Sequence, residues 1–233
     1  MQQEYDDSRQ GVFGRRAFLG GVTASALVAL TACQSLPPLS LTEAIRRMLL
    51  LSSERAFARL TAPGGFWDDQ VAEIGLGNIL GTRGDVLSGI LTSSLFKDRL
   101  EDAFAEVAIE GSYRAAPVVT DAVRTIGIAN AVALVNGGPR AATGFLRDRM
   151  ANSLIEVMVP ELGEALRISR EPLVGQALSA LAGVDVSRVA DSFAQRIDTA
   201  IWNEIGYEEE LIRENPAATN DPVITGVFGA SRL

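Results

Sequence analysis

The stretch Val186-Ser187-Arg188-Val189-Ala190-Asp191-Ser192-Phe193-Ala194-Gln195-Arg196-Ile197-Asp198-Thr199-Ala200-Ile201-Trp202-Asn203-Glu204-Ile205 decides the fold class. Val186, Val189, Phe193, Ile197, Ala200, Ile201 and Ile205 recur at steps of three and four, which gathers them into one stripe along a helix. Asp185 stands where an N-cap belongs. Gly206 is expected to bend this helix before a further segment, residues 207–215. Asn215-Pro216 ends that segment, because the residue before a proline avoids the helical region.

Working outward, the rest of the chain repeats the pattern. Ser40-Leu41-Thr42-Glu43 reads as a capping box, with Ser40 as N-cap and Glu43 reaching back. Leu41, Ile45, Met48, Leu49, Ser52, Ala56 and Leu60 follow at helical spacing until Ala62-Pro63-Gly64-Gly65 stops the helix. Phe66-Trp67-Asp68-Asp69 reads as a turn whose aromatics fold back onto the core, and the glycine-rich residues 75–84 as a loop or broken helix. A helix over residues 94–111 carries Leu95, Leu100, Phe104 and Val107 on one face. A second reaches residue 126, with Pro117 in its first turn or at a kink. Residues 128–135 form a short helix ended by Asn136-Gly137-Gly138. Pro139 is placed like an N1 proline and opens a helix to residue 159. Two shorter helices, 160–168 and 172–181, precede a break at Gly183. No alternating run asks to be a strand. The expected architecture is all-α: a single multi-helix bundle over residues 40–229 with no β-sheet, followed by a tail of residues 230–233.

Composition narrows the chemistry. The 233 residues include no histidine and one cysteine, with 29 acidic against 21 basic residues and a formal net charge of −8. Histidine-based triads, imidazole metal ligation, disulfides and CxxC redox pairs are thereby removed. The acidic balance argues against a nucleic-acid partner, which needs a basic face. No cofactor is called for and no metal site has the required ligands.

Residues 1–32 read as a cleaved export signal. Arg15-Arg16-Ala17-Phe18-Leu19 resembles a twin-arginine core, so Arg15, Arg16, Phe18 and Leu19 are the export residues; a plain secretory signal with incidental arginines is the alternative. The apolar run after it is too short and too diluted by glycine for a membrane span, which takes about 20 apolar residues. It ends in Leu30-Thr31-Ala32-Cys33, which looks like a bacterial lipobox, and the only cysteine falls at the one position that motif requires. Cys33 is therefore the expected lipidation site, residues 33–39 a Pro-Pro tether, and the membrane a partner through the acyl chains. Gln34 after the cysteine points to the outer membrane, placing the domain in the periplasm on its inner leaflet. Cleavage removes as many basic as acidic residues, so the mature chain stays at −8.

Two stretches carry a family resemblance. Asn136-Gly137-Gly138-Pro139-Arg140-Ala141-Ala142-Thr143-Gly144-Phe145-Leu146-Arg147 is similar to a glycine, Ala-Ala-Thr, aromatic signature. Glu209-Glu210-Leu211-Ile212-Arg213-Glu214-Asn215-Pro216, with the terminal Val227-Phe228-Gly229, is similar to a second. Both look like the bacterial family called domain of unknown function 4197, often secreted or lipid-anchored. The family pattern would place an aspartate at Asn130 and an arginine at Thr219. The resemblance implies a helical fold and assigns no reaction.

The candidate sites are few. Ser94-Leu95-Phe96-Lys97 matches the S-x-x-K of penicillin-recognising enzymes, but their other two boxes are absent, and it reads as a helix start. Gly75-Leu76-Gly77-Asn78-Ile79-Leu80-Gly81 has the wrong last spacing for a dinucleotide loop and reads as a hinge. Glu209 and Arg213 lie four apart, either as a surface ion pair or, with Asn215, as a buried polar knot pinning Val227-Phe228 or meeting Thr143 and Arg147. Asn136, Thr143, Arg147, Glu209, Arg213 and Asn215 are the candidate knot or binding residues. With no catalytic set complete, the expected function is non-catalytic: an exported lipoprotein that binds an envelope protein or has a structural role. A carrier of a lipid or other apolar ligand in an inter-helix cleft is the alternative. A carboxylate-dependent cell-wall hydrolase is a third reading, since acids brought together by folding are invisible in sequence.

Overall fold

The stripe read over residues 41–60 is the inner face of α1 (Pro38–Leu60): Ile45, Met48, Leu49, Ser52, Ala56 and Leu60 are all fully buried. The computed structural model describes residues 38–79, 94–168 and 186–230, with side chains at 41–79, 94–164 and 187–230. Because α1 starts at Pro38, Ser40 lies inside the helix rather than at the N-cap expected for it. Glu43 instead accepts from Arg47, 2.8 Å away, one turn along the same helix. The export signal, Cys33, the tether to residue 37, residues 80–84, the helix expected at 172–181, Gly183, Asp185 and residues 231–233 lie outside the described residues.

Residues 66–69 are not a turn. They open α2 (Phe66–Ile74), and Trp67 is fully buried there, its Nε1 donating to Ser112 Oγ at 3.1 Å. Gly75, at φ 76°, ends α2 and admits the short α3 (Leu76–Ile79). The two helices expected over 94–126 are one, α4 (Ser94–Thr125), with Pro117 inside it. An interior proline costs about 3 kcal/mol. Ala115, Val119 and Val123 continue the face of Leu100, Phe104 and Ala108 into the core, and their burial outweighs the lost bond. Leu95, expected on that face, is 64% exposed.

α5 (Ala131–Val135) starts three residues later than expected, where Asn130 Oδ1 caps it by accepting from Ala133 N–H at 3.1 Å. The single helix expected over 139–159 is two: α6 (Ala141–Met150), then α7 (Ser153–Ile168), separated at Ala151 with φ 47°. Pro160 does not start a helix but sits within α7, where Leu154, Met158 and Leu162 bury at four-residue steps. α8 (Val186–Glu214) runs through Gly206 as one helix, so the expected bend does not divide it. After Asn215-Pro216, a 3-10 turn (Pro216–Thr219) leads to α9 (Pro222–Phe228).

Helices α1, α4, α7 and α8 pack in a ring, each against its two neighbours, and their stripes share one core. Phe104 and Phe193 meet edge-on across it, centroids 5.4 Å apart. Gly111 lets α4 approach closely: a Cβ there would lie 3.3 Å from both Ile197 and Leu162. α2 packs on α4, while α5 and α9 pack on α1 and α6 packs on α8. The described residues contain no strand, so the all-α expectation holds. None of the described helices is long and apolar enough to cross a membrane.

Candidate functional site

Arg140, the N-cap of α6, supplies no side-chain cap bond to the free N–H groups of the first turn. Glu209 of α8 supplies them from 66 residues away. Its Oε1 accepts from Ala142 N–H at 3.0 Å and its Oε2 from Thr143 N–H at 2.6 Å. These are the N2 and N3 donors a local cap would have taken, at the positive end of the helix dipole. Glu209 is fully buried, and Arg213 one turn later donates to it at 2.8 Å.

The rest of the Arg213 guanidinium faces α5. It donates to the Val135 carbonyl at 3.0 Å and the Leu134 carbonyl at 2.8 Å, which would otherwise be orphaned at the end of that helix. It also lies 4.9 Å over the Phe228 ring of α9. One ion pair thus closes the end of α5, the start of α6 and the approach of α9. Gly137, in the connection, must be small, since a Cβ would fall 2.6 Å from Ala141 Cβ and 2.9 Å from the Ala133 carbonyl. Beside the knot, Arg140 pairs with Glu210 at 3.0 Å. Its side chain crosses Gly206, where a Cβ would come within 3.0 Å.

The structure therefore brings together Glu209, Arg213 and the Thr143 backbone, with Phe228 against them. It leaves the other candidates apart. Asn136 and Asn215 are exposed, and Asn215 precedes the 3-10 turn without a side-chain cap bond. Arg147 points to a different carboxylate, Asp198, at 3.4 Å. The two positions that depart from the family pattern have local roles: Asn130 caps α5, and Thr219 Oγ1 donates to the Pro216 carbonyl. Ser94 is exposed and Lys97 is held by Glu101 at 2.9 Å, which fits a helix start.

Four further acids, Asp198, Glu204, Glu208 and Asp221, carry no signature in the sequence. Asp198 is buried on α8 and accepts from Trp202 Nε1 at 2.9 Å; burial pushes its carboxyl up despite Trp202 and Arg147. Glu204 is pushed up by burial, with Arg59 opposing and Glu208 adding to the rise. Arg59 lies 3.0 Å from Glu204 and 3.8 Å from Glu208, so these acids belong to an α1–α8 seam. Asp221 caps α9, accepting from Val223 and Ile224 N–H, and receives Arg47 at 3.1 Å. Desolvation pulls its carboxyl up, but the Ile224 N–H, Arg47 and Val223 N–H together hold it below the usual range. The i,i+4 repeat of acids on α8 was the only sequence signal for the seam. Among the described residues no group of three or more Cys, Asp or Glu could hold a metal ion.

A groove of about 420 Å³ opens between α2 and α8. Gln70 of α2 and Ser192, Gln195, Arg196, Thr199 and Asn203 of α8 supply its polar walls. These α8 residues lie largely off the apolar stripe, which is why periodicity alone passed over them.

The two stretches that meet at Glu209 are those of the family signatures. Residues 35–229 match a family model described as a protein of unknown function (DUF4197). No curated protein and no solved structure matches the chain.

Proposed function

The chain belongs to the protein family of unknown function DUF4197, and from that premise we propose that it is an exported, lipid-anchored binding protein. Cys33 carries the acyl chains, and the domain faces the periplasm from the inner leaflet of the outer membrane. It works by holding a partner rather than by turning over a substrate. The observation that carries the non-catalytic reading is the use made of its most buried charges. The Glu209 carboxylate is fully buried and accepts from two backbone N–H groups and Arg213, which keeps it out of reach of a substrate proton. Asp198 is likewise engaged by Trp202 and Arg147.

The groove between α2 and α8 is lined by six polar side chains against Ile74 and Ala200, which favours a polar ligand there over the apolar cargo of a lipid carrier. The anchor rests on the lipobox reading. Two or more acyl chains hold a protein far more firmly than one, since each buried CH2 contributes about 0.8 kcal/mol. Cys33→Ala should abolish incorporation of labelled fatty acid and shift the protein from the membrane to the soluble fraction. Unchanged labelling of that variant would sink the anchor.

A further inference from the structure

We propose that the groove between α2 and α8 binds a small hydroxylated anion: a sugar ring bearing one oxyanion, held by Arg196. Arg196 lines the groove half-buried; its Nε is buried with no hydrogen-bond partner, and among the described residues its guanidinium makes only a 3.5 Å contact to the Asn78 carbonyl. A buried donor left unmade costs about 1–3 kcal/mol. A guanidinium answers that deficit best with a carboxylate or phosphate, whose paired oxygens match its fork.

The other walls define the rest of the ligand. Gln70, Ser192, Gln195, Thr199 and Asn203 line the groove, and no carboxylate does, in a chain with 29 acidic residues. Amides and hydroxyls both donate and accept, as sugar hydroxyls do. The Thr199 hydroxyl proton is spent on the Gln195 carbonyl at 2.9 Å, which leaves its oxygen as an acceptor. Glu73 of α2 accepts from the Gln70 amide at 3.2 Å, while Asp191 is exposed on α8 beside Ser192. Both acids disfavour a ligand that carries more than one anionic group. A volume of about 420 Å³ suits a mono- or disaccharide rather than a polymer.

The inference rests on reading the domain as a binding module and is independent of the anchor. Its test is a titration of the isotopically labelled full chain with D-glucuronate, D-glucose 1-phosphate and D-glucose, followed by amide chemical shifts. Saturable shifts on α2 and the first half of α8 are expected for at least one anionic sugar, with glucose at least tenfold weaker. Arg196→Gln and, separately, Gln195→Leu should each weaken the anionic sugar at least tenfold with an unchanged melting curve. The preferred anion distinguishes a sugar acid from a sugar phosphate. No shift with either anion, equal binding of glucose, or undiminished binding by Arg196→Gln would overturn the proposal. Saturable shifts confined to another face would overturn the groove and leave the binding reading standing.

Discussion

Arg213 and Arg196 lie on one helix, α8, and their surroundings are opposite. Arg213 donates to a buried carboxylate and two helix-end carbonyls and covers an aromatic ring. Arg196 has a single marginal carbonyl and a buried nitrogen with nothing to bind. The first arrangement is what a fold requires of an interior charge, since a buried ion is tolerated only when its partners are complete. The second is half-exposed, so water serves most of the guanidinium, and only its buried Nε is left open to a partner from outside the chain. The same side chain thus holds a structural junction near the end of α8 and lines an open groove in its first half.

The sharpest way to break this contrast is to empty the junction. Glu209→Ala leaves Arg213 without its carboxylate and the Ala142 and Thr143 N–H groups unpaired, so a loss of about 3–5 kcal/mol is expected by chemical denaturation. Glu209→Gln, which keeps an acceptor but no charge, should lose less. A loss under about 1 kcal/mol for the alanine variant would mean that the ion pair is incidental to the fold.

Asp198 gives an intermediate case, buried but with Arg147 only at 3.4 Å. Its carboxyl is raised by burial, so the folded state holds that proton more tightly than the unfolded chain does. Stability linked to Asp198 is therefore greatest below the ordinary carboxylate range and falls as pH rises toward the raised value. Asp198→Asn should remove that fall while keeping an acceptor for Trp202. Thermal melts across the acid range should show a flatter profile than the parent; an identical slope would reject the assignment. Asp221 pulls the other way: its lowered carboxyl contributes stability above the ordinary range that is lost as pH falls through its folded value.

The smallest effect is expected at the other pole of the comparison. Arg196→Gln should change stability by less than about 0.5 kcal/mol, because no carboxylate depends on it. A large destabilisation would place Arg196 with Arg213, among the residues that hold the fold.

Much of the fold was legible because helical periodicity is local. The stripes on α1 and α8 bury as their spacing says, and the stops at Ala62-Pro63-Gly64-Gly65 and Asn215-Pro216 fall where backbone restrictions put them. Pro117 was placed in the first turn of a second helix or at a kink, and Pro160 at the start of a helix, yet the buried neighbours on both sides carry α4 and α7 through them. Conversely, Ala151 breaks a run with no glycine or proline to announce it. Trp67 was placed in the core, but its segment is helical rather than a turn.

By itself, the sequence determined the all-α class, the absence of imidazole chemistry, and the position of its single thiol beside a lipobox-like motif. It also paired Glu209 with Arg213, since residues four apart on a helix must be neighbours. Only the tertiary structure decided what that pair does. Whether an i,i+4 pair is a surface ornament or a buried clasp depends on burial and on partners 66 to 79 residues away. The same holds for Arg196, whose groove exists only because folding sets Gln70 and Ile74 of α2 across from α8. Periodicity is written within a few residues of chain, whereas the completion of a charge is settled by whichever helix packing brings to it.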